Sequence, residues 1–129
     1  MKKTFLNAKL HRVNVTQVEL DYEGSCAVDI NFLEAAGMQE YEKVDIYNVT
    51  NGERFSTYLI LAEEDSKTIS VNGAAAHKVS LGDILIICTY TSLEDAEIAS
   101  HKPTLVYFDK ENNMTDVKNS IPEQKLKSV

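Results

Sequence analysis

The dipeptide Asn51-Gly52 lies between two β-prone runs, and this junction constrains the fold more than any other feature. Upstream, residues 44–50 supply Val44, Ile46, Tyr47 and Val49; downstream, residues 54–61 supply Phe55, Tyr58, Ile60 and Leu61. A type I′ turn needs positive φ at both central positions, which Asn-Gly tolerates, so the pattern predicts a hairpin. Other runs extend the theme. Residues 11–18 put Val13 and Val15 on one face at period two, residues 68–71 form a short strand ending at Asn72-Gly73, and Leu105–Phe108 precedes the turn-like Glu111-Asn112-Asn113. Ile84–Tyr90 is almost continuously apolar, as in a strand covered on both faces.

Helix signals are few. Asp29 caps a short helix through Phe32, Leu33 and Ala36, stopped by Gly37. One turn is expected at Ala74–His77, and another after Ser92 as cap with Asp95 as the capping-box acid. Many short strands and few helices predict a mainly β chain, closed into a small barrel.

The 129 residues support one domain with a modest core, and no repeat or linker divides them. A net charge of −7, from 13 basic and 20 acidic residues, repels phosphate backbones, so no nucleic-acid partner is expected. The same field repels a small dicarboxylate at long range, so an anionic substrate must be captured by local cations. Cys26 and Cys88 fit no CxxC pattern and read as buried free thiols in a reducing cytoplasm. No apolar stretch approaches the ~20 residues of a membrane span. Met1–Asn7 has Lys2 and Lys3 but no apolar run behind them, so no signal peptide is expected. His11, His77 and His101 have no metal-ligand spacing, so no metal is expected.

Four separated segments carry the functional reading: Lys9-Leu10-His11-Arg12, Tyr22-Glu23-Gly24-Ser25-Cys26, Asn51 to Tyr58, and Asn72-Gly73-Ala74-Ala75-Ala76-His77. In order and spacing they resemble the bacterial pyruvoyl-dependent aspartate 1-decarboxylase family, across residues 1–117. The resemblance implies a six-stranded double-psi β-barrel over 1–117 with a polar tail at 118–129, which is expected to fray. It also implies a cytoplasmic homotetramer with active sites between subunits, and allows a maturation helper protein as a further partner. The implied reaction converts L-aspartate to β-alanine and CO2 in pantothenate biosynthesis, with a covalent pyruvoyl group and no metal.

By this resemblance Ser25 Oγ attacks the Gly24 carbonyl carbon, the amide becomes an ester, β-elimination leaves a dehydroalanine, and hydrolysis with loss of ammonia leaves the pyruvoyl group. The products are a β chain of residues 1–24 and an α chain of residues 25–129. Glycine at 24 suits the step because it takes strained backbone geometry and leaves its carbonyl open. The ketone forms a Schiff base with the substrate amine and serves as an electron sink that side chains lack. Tyr58 matches the family's proton donor. Arg54, a planar fork, and Lys9 match its two substrate cations. Thr57 matches a residue of substrate contact and chain cleavage, placed opposite Tyr58 in facing if the strand is regular. Asn72, Gly73, Ala74 and Ala75 form a backbone anion nest in which Asn72 contacts the imine region or the cleavage intermediate. His11 and Tyr22 match positions near the cleavage site, and Tyr47 replaces a tryptophan of the family's pocket wall.

Read from the residues alone, Gly24-Ser25 is an ordinary loop turn. Two alternatives stay open on that footing: an unprocessed barrel that binds a ligand or partner without catalysis, and a small serine hydrolase using Ser25 and His11, which lacks a GxSxG elbow.

Overall fold

Alternation at period two, broken by five glycines with positive φ, builds this chain from strands. The structure, a computed structural model, describes residues 1–127. In chain order the elements are β1 (Lys3–Asn14), β2 (Gln17–Glu19), β3 (Cys26–Asp29), α1 (Ile30–Ala36), β4 (Lys43–Asn48), β5 (Arg54–Ala62), β6 (Ile69–Asn72), a 3-10 helix (Gly73–Lys78), β7 (Ile84–Leu93), α2 (Asp95–Ile98), β8 (Thr104–Phe108) and β9 (Met114–Lys118). The expectation of a mainly β chain with a few short helices holds.

Among the described residues the strands pair in the order β2-β6-β3-β5-β4-β7-β1-β8-β9. Pairing is parallel for β1 with β8, β2 with β6 and β3 with β5, and antiparallel elsewhere. The hydrogen bonding therefore describes an open mixed sheet of nine strands, not a closed ring of six. β1 and β2 are separated only by Val15 and Thr16, yet stand far apart in that order. The chain bends between them: Val15 N donates to Asp83 O, and Thr16 N donates to Ile69 O, both at 2.9 Å. One buried cluster collects Leu10 and Val13 of β1, Val28 of β3, Ile46 of β4, Leu59 of β5, Val71 of β6 and Ile87 of β7.

Local signals were right where a single residue sets the geometry. Asp29 caps α1 by accepting from Asn31 N at 2.8 Å, and Gly37 ends it at φ 73°. The 3-10 helix starts at Gly73, with φ 61°.

Three expectations need correction. The two-residue hairpin turn is replaced by a longer connection over residues 49–53. Gly52 has φ 81° and its N–H donates to Asn48 O at 2.8 Å, whereas Asn51 keeps negative φ. The reason is Asn48, whose Oδ1 accepts from Thr50 N and Asn51 N and draws the chain into a wider turn. The cap before α2 is Glu94, closing a box with Glu97, because Ser92 is held in β7 opposite Thr4. The first strand begins at Lys3, not residue 11, because its early residues are held by pairing with β7, a long-range partner that no local pattern reveals. β9 ends at Lys118; residues 119–127 carry no helix or strand, and 128 and 129 lie outside the described residues.

Candidate active site

Ser25 sits at the entrance to β3, between two neighbours that register assigns to it. Cys26 pairs with Leu59 of parallel β5, so Ser25 stands one step before β3 beside Tyr58. Cys26 also pairs with Val71 of β6, and the next bond in that direction runs from Asn72 N to Ser25 O at 2.8 Å. Sequence residues more than thirty positions apart are thus gathered around the Gly24-Ser25 bond.

Gly24 is required at its position. Its φ is 86°, and a Cβ added there would stand 2.9 Å from both Ile60 Cδ1 and Ile60 Cγ2. Left-handed geometry of this kind is strained for any residue with a side chain. Gly24, Tyr22 and Tyr58 line one cleft of about 570 Å³, together with Glu40, Tyr41 and Ile60. Tyr58 is 41% exposed and presents its phenol at this surface.

Asn72 is 1% exposed, and its Oδ1 accepts from Ser70 Oγ at 2.7 Å, which fixes the amide's orientation. It also lines a second groove of about 550 Å³ with Tyr22, Ile60 and Ser70. Gly73 has Tyr22 O 3.7 Å from where its Cβ would be, so the two segments approach closely. Ala74 is exposed and Ala75 half-buried at the first turn of the 3-10 helix, where the leading N–H groups have no partner within the helix.

The two cations are elsewhere. Residues directly opposite in antiparallel pairs share a face. One cross-strand row reads Lys9, Cys88, Asp45, Ser56; the next reads His11, Ile86, Tyr47, Arg54. Lys9, His11, Tyr47 and Arg54 therefore share the outer face of β1, β7, β4 and β5. Tyr58 shares that face by period two. Thr57 points the other way, opposite Val44, as the regular strand required. Arg54 lies four residues before Tyr58, roughly 13 Å along the strand at ~3.3 Å per residue. Lys9 is three strands further across the sheet. Among the described residues neither Lys9 nor Arg54 has an ion pair. Arg54 Cζ rests 4.2 Å from the centroid of the Tyr47 ring.

His11 packs edge-on against Tyr107 with centroids 5.3 Å apart, and its Nδ1 is buried without a partner among the described residues. Burial, then the charges of Lys9 and Arg12, lower its pKa from the ordinary histidine value. Among the described residues no hydrogen bond joins His11 to Ser25 and β1 does not pair with β3, so a serine–histidine dyad within one chain finds no support. Cys26 and Cys88 are free and buried, as expected; burial pushes the Cys26 thiol up to about 12.

Three residues of these surfaces escaped sequence reasoning. Ile60 follows from Tyr58 by period two and was legible. Tyr41 has φ 69° and is held by Tyr41 N donating to Leu59 O at 2.8 Å; no local pattern announces it. Tyr90 meets Tyr47 only through strand pairing, its hydroxyl 2.6 Å from that of Tyr47.

The family model described as aspartate decarboxylase matches residues 1–115. An aspartate 1-decarboxylase of Hydrogenovibrio crunogenus is 58% identical over 124 residues, covering 96% of each chain. Those of Methylobacillus flagellatus and Psychromonas ingrahamii are 59% and 57% identical, covering 96% of this chain and 98% of the relative. The matched span contains every residue placed around Gly24-Ser25 and both unpaired cations of the outer face, and the chain belongs to the aspartate decarboxylase family.

Proposed function

We propose that this chain is a self-processing aspartate 1-decarboxylase that converts L-aspartate to β-alanine and CO2, feeding pantothenate biosynthesis in the cytoplasm. The observation that carries the reading is the position of Ser25 between Tyr58 and Asn72, with left-handed Gly24 directly before it.

The residues present fit a pyruvoyl group at position 25. Gly24 occupies a cradle that a Cβ would fill, and Asn72 N anchors the carbonyl on the far side of Ser25. In processing, Ser25 Oγ attacks the Gly24 carbonyl carbon as the Gly24–Ser25 C–N bond breaks. Elimination of the Gly24 carboxylate and hydrolysis with loss of ammonia leave chains 1–24 and 25–129. Thr57 and Asn72 are the candidates to stabilise charge on the attacked carbonyl. Tyr22 and His11 support the segment.

A pyruvoyl group at residue 25 would supply a ketone for covalent capture of the substrate amine and a sink for the electron pair released with CO2. Tyr58 then delivers its phenolic proton to the carbon that lost CO2, and solvent restores it. The unpaired cations Arg54 and Lys9 hold substrate carboxylate, and the N–H groups of Gly73, Ala74 and Ala75 complete the anion site. Contacts to the departing carboxylate must not exceed those to the one retained, because only binding that favours the transition state raises the rate.

A four-carbon diacid attached at residue 25 cannot also span the sheet to Arg54 and Lys9 of its own chain. This separation supports a homotetramer in which a neighbouring subunit brings those cations, with Tyr47 as part of its wall, to the Ser25 of the next. A maturation helper protein remains a further proposed partner. The strand order also supports a six-stranded double-psi barrel over residues 1–117, with 118–129 as an appended tail. On that reading β1 and β2 count as one bent strand, so that the order β2-β6-β3-β5-β4-β7-β1 would begin and end on the same strand.

Intact mass of the purified protein tests the reading. The wild type should give fragments 1–24 and 25–129 and form β-alanine, while Ser25→Ala stays whole and forms none. A Ser25→Ala protein that still forms β-alanine would overturn the mechanism, and a wild type that sediments as a monomer at working concentration would overturn the shared site.

A further inference from the structure

We propose that Tyr90 is a positioning residue for substrate capture: its hydroxyl ties down the Tyr47 ring, and that ring holds the Arg54 guanidinium in place to receive a carboxylate. The inference rests on the reading of Arg54 as the carboxylate clamp and adds a residue that the four motif segments do not contain.

Three observations meet here. Arg54 has no ion pair among the described residues, so its fork is not oriented by an acid. What orients it is the Tyr47 ring, 4.2 Å beneath its Cζ. Stacking leaves the N–H edge of the guanidinium free for bidentate contact with a carboxylate. The ring itself is a half-exposed platform on β4, and its hydroxyl lies 2.6 Å from Tyr90 Oη on β7.

The surroundings make that tie matter. A cleft of about 430 Å³, lined by Thr4, Lys43, Val44 and Asp45, opens beside Tyr90. The hydroxyl pair joins β4 to β7 at the rim of that cleft and limits the swing of the Tyr47 platform. Burial first, and then the hydrogen bond with Tyr47, raise the pKa of Tyr90 above the ordinary tyrosine value. It stays protonated wherever the enzyme works.

Tyr90→Phe removes one oxygen from a side chain that is 40% exposed, so folding is not at risk. With activity normalised to the processed fraction, Tyr90→Phe should raise the KM for aspartate about three- to tenfold, the range for losing one neutral hydrogen bond, and leave kcat and self-cleavage unchanged. Tyr47→Phe should do the same, and the double variant should be no worse than either single one, because both remove the same bond. In an Arg54→Ala background, Tyr90→Phe should leave kcat/KM unchanged. If Arg54→Ala lowers kcat/KM but Tyr90→Phe leaves KM within twofold of wild type, the positioning role is wrong and the clamp survives. If Arg54→Ala itself leaves kcat/KM unchanged, the clamp reading fails and takes this inference with it. A Tyr90→Phe effect on kcat alone, or one that adds fully to Arg54→Ala, also overturns the inference.

Discussion

Replacing Gly24 by alanine tests whether backbone geometry prepares this chain for cleavage. Gly24 stands at φ 86°, and an added Cβ would approach Ile60 Cδ1 and Cγ2 to 2.9 Å. The backbone conformation costs a non-glycine residue roughly 1–2 kcal/mol. The steric part is smaller, because both clashing atoms belong to a flexible side chain that yields for about 0.5–1.5 kcal/mol of off-rotamer strain. Together these give about 1.5–3.5 kcal/mol. Gly24→Ala escapes the strain by relaxing to negative φ, which swings the whole Gly24–Ser25 peptide unit out of its place beside Tyr58 and Asn72. At ~1.4 kcal/mol per decade, the competent form, and with it the cleavage rate, falls about 10- to 300-fold. The assay is a time course of the 1–24 fragment by intact mass after purification of the fresh precursor. A second substitution divides the two terms: Gly24→Ala with Ile60→Ala should recover only the steric share, about 2- to 10-fold. Processing of Gly24→Ala within twofold of wild type would refute the claim that φ at residue 24 matters. Full recovery by Ile60→Ala would place the whole effect in the side-chain clash.

Two further outcomes follow from buried polar groups. Asp29 is 1% exposed and accepts from Asn31 N at 2.8 Å, Lys67 N at 2.7 Å and Asp65 N at 3.3 Å, joining the start of α1 to the loop before β6. Asp29→Ala strands these donors and should cost about 2–4 kcal/mol, read as a lower urea midpoint with an unchanged m value; a midpoint equal to wild type would show that water replaces the carboxylate. His11 has a folded pKa below its ordinary value of 6.5, so the unfolded chain takes up the proton first as pH falls. Unfolded chains then bind more protons, and stability declines from about pH 6.5 down to the lowered folded pKa. His11→Gln should flatten that part of the curve of stability against pH, and parallel curves for the two proteins would contradict the assignment.

What could be read from the chain depended on whether one residue or a long-range pairing decides the outcome. Asp29 and Gly37 bracket α1 by local chemistry, and both were legible. Asn51-Gly52 was legible as a turn but not as to its type, because the deciding acceptor is Asn48, outside the dipeptide. β2, β3 and β9 left little pattern. β2 has only three residues, too few to show a period, while β3 is buried and β9 exposed at every position, so neither alternates. The candidate site divides the same way. Ser25, Tyr58 and Asn72 were named from motifs, but that they adjoin follows from the parallel pairing of β3 with β5, which no local pattern encodes. Tyr90 was read only as the end of an apolar run; its partner is forty-three residues away and becomes visible only when β4 and β7 are laid side by side.

The charge balance explains why the two unpaired cations are more telling than their number. A chain of net charge −7 has acids to spare, and it uses them on other groups. Glu53, next to Arg54 in sequence, pairs with Lys78 at 3.1 Å. Asp45, in the same cross-strand row as Lys9, accepts from Ser56 Oγ at 2.6 Å. An exposed ion pair contributes little to stability, so leaving Lys9 and Arg54 without one sacrifices almost nothing in the fold. On the proposed reading of these two cations it matters for binding, because a cation already held by an acid must give up that partner before it takes a substrate carboxylate. An overall negative molecule thus keeps two cations of its outer face free of an acid partner among the described residues.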